Sequence, residues 1–357
     1  PDKIDSYLQE QLDFSSSASR RPSEPQDIVL YGFGRIGRLM ARLLVQTTGP
    51  GNYFRLKAVV VRKGGENDLV KRASLLRRDS VHGRFIGTIR VDLDNDLLVV
   101  NGNPVKFIYA SGPAEINYEK LGINKPIVID NTGIWRDEAA LSQHLDCGAS
   151  KVILTAPAKG NIRNIVFGVN DKSLTDSDNI ISAASCTTNA IVPVLKILSD
   201  QYGIQNGHIE TVHSYTNDQN LIDNFHSGDR RGRSAPLNMV ITSTGAVNAV
   251  AKAIPELSGK LTGNAIRVPT PNVSLAVLVL NLKEEVTKAE LNEFLKNSAF
   301  TSKYRQIIGY TNSPEAVSTD FYSSPFATII DSQATIAEGN QVTLYCWYDN
   351  EFGYSKQ

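Results

Sequence analysis

The stretch "SAASCTTNA", residues 182–190, places Cys186 among hydroxyl and amide side chains just ahead of an apolar helical pattern. The apolar residues that follow share one helical face and are Ile191, Val194, Leu195 and Leu198. This spacing predicts Cys186 in the first turn of a helix, with Ser185 near the N-cap. Amide groups at a helix start favour a thiolate over a thiol and can hold an oxyanion, which predicts a nucleophilic cysteine.

The alternative for any free cysteine is a simple packing role. The polar neighbours of Cys186 suit packing poorly, and they are Ser185, Thr187, Thr188 and Asn189. Cys147 and Cys346 lie in ordinary helix-end and strand patterns, so we assign both to packing. Three scattered cysteines without CxxC spacing indicate neither a disulfide framework nor a zinc or other metal site. Reduced thiols in a cytoplasmic protein are therefore expected.

A nucleophilic thiol needs a base, and His213 is the candidate among five histidines. It lies in "ETVHSYTNDQ", where a β-type run ends beside polar residues. An imidazole with a near-neutral pKa can accept a proton and return it. A lone histidine is more often structural, however, and spacing alone does not bring His213 to Cys186.

A second chemical motif, "IVLYGFGRIGRLMARLL", places Gly32, Gly34 and Gly37 after a strand and at the opening of a helix. The predicted apolar face of that helix comprises Ile36, Leu39, Met40, Leu43 and Leu44. Such glycines permit a tight turn, close approach of a pyrophosphate and close packing of helix on strand. The motif predicts dinucleotide binding, with a purely structural turn as the alternative.

The end of the second predicted strand bears on the choice of dinucleotide. Sites for NAD usually carry an acidic residue there to bind the ribose hydroxyls. Here "KAVVV" continues into Arg62 and Lys63. Two cations can accept a 2′-phosphate, which favours NADP or use of both cofactors; the alternative is that both residues belong to a solvated loop.

Further cationic and hydroxyl groups suit phosphate binding, because a guanidinium group forms bidentate hydrogen bonds with an oxyanion and a glycine turn offers main-chain N–H donors. They occur in three segments, "GDRRGRSAP", "TSTGA" and "RVPTPN", and the candidates are Arg231, Thr244, Gly245 and Arg267. The other cluster members, Arg230 and Arg233, are assigned to a solvated or intersubunit salt-bridge surface.

The composition is that of a globular protein. Of 357 residues, 41% are hydrophobic and 21% are charged, and the formal net charge is zero. This balance does not favour nucleic-acid binding. The longest apolar runs have about half the length of a membrane span, so no membrane segment is predicted. The length predicts about two domains.

The order of apolar segments predicts an α/β protein with two kinds of sheet. Residues 1–26 have the composition of an appendage or linker. In residues 27–184, "IVLY", "KAVVV", "PIVID" and "KVILT" predict a Rossmann-type, doubly wound parallel sheet. In residues 185–348, "VSLAVLVLNL" and the alternating "QVTLYCWYD" predict an α+β catalytic domain with a mostly antiparallel sheet. Residues 349–357 are expected to return toward the cofactor domain.

Taken together, these motifs resemble the phosphorylating glyceraldehyde-3-phosphate dehydrogenases. The resemblance runs in order from about residue 28 to residue 356 and rests on "YGFGRIGR", "DSVHG", "NTGIW", "TAPAKG", "ASCTTNA", "HSYTNDQ", "RRGRSA", "TSTGA", "RVPTPNVS" and "WYDNEFGYS". It implies a homotetramer in which Cys186 is the nucleophile and His213 its acid/base partner. The C-terminal helix that follows "GYS" in that family is absent from this sequence.

The resemblance also implies roles for the binding residues. Thr216 and Arg267 would hold the substrate phosphate. The inorganic phosphate would be held by Ser185, Thr187, Arg231, Thr244 and Gly245. The cofactor would contact Gly34, Arg35 and Ile36 at the pyrophosphate, Thr132 and Thr155 near the ribose and nicotinamide, and Asn350 at the carboxamide.

Two features depart from NAD-preferring members of that family, namely the missing acidic residue and Asn224 with Phe225 in place of Leu-Pro. The cofactor is therefore expected to be NAD or NADP. Erythrose-4-phosphate dehydrogenase is an alternative function, in which water resolves the thioester. A noncatalytic interaction protein is a further alternative, although it would have no need of the intact cysteine, histidine and arginine set.

Overall fold

The computed structural model describes residues 24–47 and 53–357, and the strands of these residues form two large sheets and one short hairpin. The predicted N-terminal appendage lies outside the described residues up to residue 23. The helices are α1 (Arg35–Gln46), α2 (Asp68–Arg77), α3 (Glu138–Asp146), α4 (Cys186–Tyr202), α5 (Ala246–Ala253), α6 (Lys288–Thr301) and α7 (Phe352–Lys356). None of the described helices is both long and apolar enough to cross a bilayer.

The first sheet is mainly parallel. The strands up to residue 182, in chain order, are β1 (Gln26–Tyr31), β2 (Phe54–Val61), β3 (Arg78–Asp79), β4 (Gly83–Arg84), β5 (Ile89–Asp92), β6 (Leu97–Val100), β7 (Asn103–Tyr109), β8 (Ile127–Asp130), β9 (Lys151–Leu154), β10 (Arg163–Asn164) and β11 (Ile180–Ser182). The sheet order is β10-β11-β9-β8-β1-β2-β7-β6-β5, with β3 and β4 forming a separate hairpin. Only β5, β6 and β7 pair antiparallel within it. The carboxyl ends of β1, β2, β8 and β9 therefore meet at one edge.

The buried face of α1 differs from the predicted one. Of the five predicted residues only Leu39 is fully buried, while Met40 and Leu44 pack at the margin of the core. Arg42 is buried instead, because its guanidinium donates to the main-chain oxygen of Leu76 at 2.8 Å and of Gly83 at 3.1 Å. A charged side chain therefore occupies part of the face expected to be apolar.

The second sheet is mixed but mostly antiparallel. Its strands are β12 (Ile204–Ser214), β13 (Val240–Ser243), β14 (Leu261–Val268), β15 (Ser274–Leu282), β16 (Ile308–Thr311), β17 (Thr328–Asp331), β18 (Ile336–Glu338) and β19 (Gln341–Tyr348). The order is β13-β14-β12-β15-β19-β17-β16, and β18 also pairs with β19. Two pairs, β12 with β14 and β16 with β17, are parallel. The predicted fold class, a parallel-rich sheet and a mostly antiparallel sheet in an α/β protein, is confirmed.

Burial in the second sheet follows the predicted alternation. In β19 the residues on the covered face are Val342, Leu344, Cys346 and Tyr348, all at most 1% exposed. They pack in one core with α4, whose side chains are buried on nearly all sides rather than along one stripe. The packing role assigned to Cys346 is thereby confirmed. Cys147 ends α3 and its thiol lies 3.1 Å from the main-chain oxygen of Pro113, also a structural setting.

The C-terminal segment joins the two sheets. Glu351, just before α7, accepts hydrogen bonds from Arg35 of α1 and lies 2.9 Å from His82 Nε2. Arg35 also pairs with Asp79 at 3.1 Å. Burial acts to raise the pKa of Glu351, but bonds from His82 and Arg35 outweigh it and lower that pKa. These contacts form one cluster of Arg35, Asp79, His82 and Glu351. The cluster therefore joins the segment before α7 to α1, the helix that follows the first glycines of the motif.

Replacing Glu351 with Gln tests how much this cluster contributes to stability. We expect the free energy of unfolding at pH 7 to fall by about 2 kcal/mol, because Arg35 loses one of its two carboxylate partners in a largely buried site. A carboxylate whose folded pKa is lowered contributes stability above its unfolded pKa and loses it as the pH falls through the folded pKa. Urea unfolding should therefore show the two proteins converging below about pH 4. The exposed Glu338→Gln variant is the control; a deficit that is constant with pH would contradict the ion-pair account.

Candidate active site

Cys186 is the first residue of α4, at the point where the chain leaves the first sheet. Ser185 is the N-cap and its hydroxyl accepts from Thr188 N at 3.0 Å, as the sequence predicted. The preceding Ala184 has a φ of 56°, a left-handed conformation that costs free energy in a residue with a Cβ. Its carbonyl accepts from the Tyr354 hydroxyl at 3.0 Å. The turn before the thiol is thus held from the C-terminal segment.

The structure brings the predicted thiol and imidazole together. Cys186 Sγ lies 3.5 Å from Nε2 of His213, which is the penultimate residue of β12. His213 Nδ1 lies 2.7 Å from the main-chain oxygen of Ser214. A proton on Nδ1 satisfies that oxygen, which leaves the Nε2 lone pair facing the thiol. The pair is arranged for proton transfer from sulfur to Nε2.

The electrostatics of the pair differ from the expectation. Burial raises the pKa of Cys186, although Arg267 and bonds from Thr187 act to lower it. Burial, followed by the nearby Arg267 cation, lowers the pKa of His213 to about 4. Desolvation therefore acts against the expected stabilisation of the thiolate by the helix start. The 3.5 Å contact offers a route to the ionised sulfur, in which its proton passes to His213.

A cationic end of the cleft is formed by Arg267 of β14. Its Nη1 lies 3.3 Å from the Thr216 hydroxyl and 3.2 Å from His213 Nδ1, and its buried Nε has no hydrogen-bond partner among the described residues. An unpartnered guanidinium donor beside a hydroxyl suits an anion. Thr216 also donates to Asp218. Burial would raise the pKa of Asp218, but the bond from Thr216 and the nearby Arg267 and Arg231 cations lower it.

Of the five residues predicted for inorganic phosphate, four do not line the cavity, and only Ser185 does. Arg231 pairs at 2.6 Å with Asp218, which lines the cavity. Thr244 and Gly245 end the turn before α5, and the Thr244 hydroxyl accepts from Ala246 N at 3.2 Å. Ser185 lines the cavity, whereas the Thr187 hydroxyl lies 3.0 Å from the buried Tyr348 hydroxyl. An anion site using all five residues remains a prediction.

The cleft continues toward the glycine motif. A cavity of about 660 Å³ contains the thiol and imidazole, and a second of about 330 Å³ is lined by Gly32, Gly34 and Thr132. A Cβ on Gly37 would lie 2.3 Å from the oxygen of Gly32, so helix and turn can pack this closely only with glycine. A Cβ on Gly34 would meet nothing within 4 Å, which leaves its surface open to a ligand. These residues fit a dinucleotide pyrophosphate.

The remaining predicted cofactor residues surround the same cleft. Ile36, Thr155 and Asn350 line the larger cavity, and the Asn350 side-chain oxygen accepts from Ser274 Oγ at 3.0 Å. Arg35 also lines it, but its guanidinium is committed to Asp79 and Glu351, so only its main chain is left for a phosphate. The structure thus gathers groups from both sheets along one groove.

The segment after β2 carries two exposed cations. Arg62 lines the smaller cavity, and Lys63 Nζ lies 5.5 Å from the ring centroid of Tyr109. The nearby Asp68 is not available for a ribose, because it accepts from Gly64 N at 2.7 Å and from Arg72 at 2.5 Å. Arg72 was not singled out by sequence reasoning, and its guanidinium also donates to the Arg62 carbonyl at 2.8 Å.

Two tyrosines that contact residues around the thiol were not identified from the sequence, because their partners are distant in the chain. The Tyr354 hydroxyl donates to the Ala184 carbonyl. The rings of Tyr348 and His213 make an edge-to-face contact at a centroid distance of 6.0 Å. Burial raises the pKa of both tyrosines, so their hydroxyls stay protonated. The only local signal was the run of aromatic residues in "WYDNEFGYS".

The effect of Arg267 on His213 is testable. We expect the imidazole pKa of His213, measured by NMR in a Cys186→Ser background, to lie well below 6.5. Adding Arg267→Gln should raise it, because a cation beside the ring disfavours the imidazolium. His208, which lies on another part of β12, serves as the internal reference. An unchanged or lower His213 pKa in the double variant would refute this electrostatic assignment.

Comparison with known families agrees with this geometry. Residues 26–138 match the family model described as the NAD binding domain of glyceraldehyde 3-phosphate dehydrogenase. Residues 185–350 match the model of the C-terminal domain of the same family. The two matched segments include the glycine motif, the thiol and the imidazole.

Three curated relatives illustrate the similarity. A glyceraldehyde-3-phosphate dehydrogenase-like protein of Pseudomonas aeruginosa is 63% identical over 335 residues, covering 94% of this chain and 73% of its own. The glyceraldehyde-3-phosphate dehydrogenase of Zymomonas mobilis is 43% identical over 92% of this chain and 95% of its own. The chloroplastic enzyme GAPB of Arabidopsis thaliana is 42% identical over 92% and 72%. The chain therefore belongs to the glyceraldehyde-3-phosphate dehydrogenase family.

Proposed function

We propose that the chain oxidises glyceraldehyde 3-phosphate with inorganic phosphate and NAD(P)⁺, and releases 1,3-bisphosphoglycerate and NAD(P)H. The single observation that carries the proposal is the 3.5 Å contact between Cys186 Sγ and His213 Nε2 inside a cleft that also holds Arg267. Thiol, base and cation are the groups that formation of an acyl-enzyme from a phosphorylated aldehyde requires.

In the proposed reaction, Cys186 Sγ adds to the aldehyde carbon as its proton passes to His213 Nε2. The main-chain N–H of Cys186 and the protonated ring of His213 stabilise the alkoxide. The bound dinucleotide supplies a hydride acceptor. The thioester forms as the alkoxide collapses and the hydride leaves, with the thiol proton still held by His213. An inorganic phosphate oxygen then attacks the thioester, and the departing thiolate takes the proton back from His213 as the acyl phosphate is made.

Arg267 links substrate binding to this proton transfer. As the proposed ligand of the substrate phosphate, together with Thr216, it would have its charge balanced when substrate binds. Since Arg267 lowers the pKa of His213, balancing its charge raises that pKa and makes the ring a better proton acceptor. The acid/base group would then be tuned by the substrate itself.

The alternative substrate is erythrose 4-phosphate, with water instead of phosphate resolving the thioester. The position of Arg231 behind Asp218 favours this alternative, because it leaves one fewer free cation for inorganic phosphate. A noncatalytic interaction protein is disfavoured, since a desolvated thiol held beside an imidazole is costly for a scaffold that performs no chemistry.

For the cofactor, we propose that both NAD and NADP bind and that Arg62 and Lys63 favour the 2′-phosphate of NADP. The engagement of Asp68 by Gly64 and Arg72 supports this, because no free carboxylate of that loop segment lines the smaller cavity among the described residues.

We also propose the homotetramer that the family resemblance implied, with division into a cofactor domain and a catalytic domain near residues 184–185. Support for assembly comes from a group of large apolar side chains between β12 and β13 that are at least 73% exposed, namely Leu221, Ile222, Phe225, Leu237 and Met239. Large apolar side chains exposed in one segment of the chain are typical of protein interfaces.

Replacement of Cys186 by Ser tests the covalent step. We expect phosphate-dependent reduction of NAD(P) to fall by about 10⁴-fold or more, since a hydroxyl is poorly ionised beside a neutral imidazole. Absorbance at the nicotinamide band measures the turnover, and Cys147→Ser is the matched control. Retained turnover in Cys186→Ser would exclude the thioester.

Comparison of the two aldehydes decides the substrate. Glyceraldehyde 3-phosphate should give the higher kcat/KM, and its turnover should require inorganic phosphate, because the acyl phosphate is the product. Faster turnover of erythrose 4-phosphate without phosphate would instead establish the alternative.

The Lys63→Asp variant tests cofactor choice. We expect KM for NADP to rise about tenfold, because the 2′-phosphate loses a cation and meets a carboxylate, while KM for NAD changes by less than about twofold. Lys71→Asp, an exposed change on α2, is the control. Equal effects on both cofactors would assign Lys63 to a solvated loop.

A further inference from the structure

Two titratable residues lie completely buried under the cofactor cleft and take no part in the chemistry above. Asp130 ends β8 and His144 lies in α3, and both are 0% exposed. His144 Nε2 is 3.3 Å from Asp130 Oδ2. Burial of a carboxylate is unfavourable unless its oxygens are hydrogen-bonded, so the remaining contacts of Asp130 show what it orders.

The other carboxylate oxygen of Asp130 orders Thr132. Asp130 Oδ1 accepts from Thr132 N at 2.8 Å and from Thr132 Oγ1 at 2.7 Å. Because the threonine hydroxyl has one proton, its lone pairs are left to face other donors, and one accepts from Ile134 N at 3.2 Å. Thr132 lines the cleft opposite Gly32, where a Cβ would lie 3.0 Å from the threonine methyl group. Asp130 therefore sets the rotamer of a residue on the cofactor surface.

The main chain of Asp130 orders a second threonine. Its carbonyl oxygen accepts from Thr155 N at 3.0 Å and lies 3.1 Å from Thr155 Oγ1. Thr155 follows β9, the neighbour of β8 in the sheet, and lines the larger cavity. One buried residue thus contacts both threonines that the family resemblance assigned to the cofactor.

His144 holds the carboxylate in place. Its ring meets Tyr31 edge-on at a centroid distance of 4.7 Å, and its Nδ1 has no hydrogen-bond partner among the described residues. A proton on Nε2 donates to Asp130 Oδ2 and leaves only a lone pair unpaired at Nδ1. The reverse tautomer would leave both an N–H and a carboxylate oxygen unpaired, so the Nε2 proton is favoured.

We propose that Asp130 is a positioning residue for the dinucleotide, that it acts by fixing the Thr132 hydroxyl, and that His144 supports it from beneath. This inference rests on the proposed dinucleotide-dependent function. Neither residue contacts the reacting atoms, and the Asp130–His144 pair acts on cofactor affinity rather than on the thiol.

The first test is Asp130→Asn, which keeps the shape of the side chain and removes its charge. We expect the Kd for NAD⁺, measured by calorimetry in a Cys186→Ser background, to rise about tenfold, since bonds to a charged acceptor are replaced by weaker ones. In the enzyme with Cys186 intact, KM for the cofactor should rise likewise while kcat changes by less than about twofold. Asp331→Asn is the control, because Asp331 is a buried carboxylate that accepts from Trp347 Nε1 at 3.0 Å in the second sheet.

A double-mutant cycle separates positioning from general stability. Thr132→Ala should weaken NAD⁺ binding by itself, and Asp130→Asn added to it should have no further effect. Equal effects of Asp130→Asn with and without the threonine hydroxyl, or a folded Asp130→Asn variant with unchanged Kd, would overturn the proposal. If the wild-type chain bound no dinucleotide, the proposed function would fail instead.

Variants of His144 keep the proposal testable if Asp130→Asn does not fold. His144→Gln retains an amide donor at the place of Nε2 and should preserve the Kd within about twofold, whereas His144→Leu should raise it several-fold. Identical affinities of these two variants would show that His144 only fills space.

Discussion

The contact between Cys186 and His213 depends on three parts of the chain meeting where the two sheets adjoin. The start of α4 supplies the thiol, the end of β12 supplies the imidazole, and the C-terminal segment holds the turn before the thiol through Tyr354. Their burial disfavours charge on both groups, raising the pKa of the thiol and lowering that of the ring. Desolvation in this site therefore favours the neutral forms of both the thiol and the imidazole.

Much of the fold was predictable, because sequence periodicity reports burial where one face of an element is covered. In β19 the alternation of apolar residues matched the covered face at every position from Val342 to Tyr348. The buried faces of the helices were harder to predict from the sequence. α4 is buried on nearly all sides, so its apolar stripe carried no information on orientation. In α1 the buried Arg42 took part of the expected apolar face, and its partners belong to α2 and the β3–β4 hairpin.

The candidate site divides in the same way. Features set by neighbours in the chain, such as Ser185 at the N-cap and the glycines after β1, were accessible from spacing. Features set by distant residues were not, including the carboxylate of Asp218 that engages Arg231, and the desolvation that opposes the amides at Cys186. Desolvation is a property of the assembled environment, and no local motif reports it. The same holds for Asp130, whose side chain orders Thr132 but whose support comes from α3.

The chain has two tryptophans, and the fold gives them different surroundings. Trp135 lines the smaller cavity beside Gly34 and Ile134, whereas Trp347 is stacked on Phe321 in the second sheet at a centroid distance of 5.5 Å and is bonded to Asp331. A ligand in the smaller cavity would therefore change the surroundings of Trp135, whereas Trp347 belongs to the second sheet. The two indoles thus differ in what their fluorescence would report, namely occupancy of the smaller cavity for Trp135 and packing of the second sheet for Trp347.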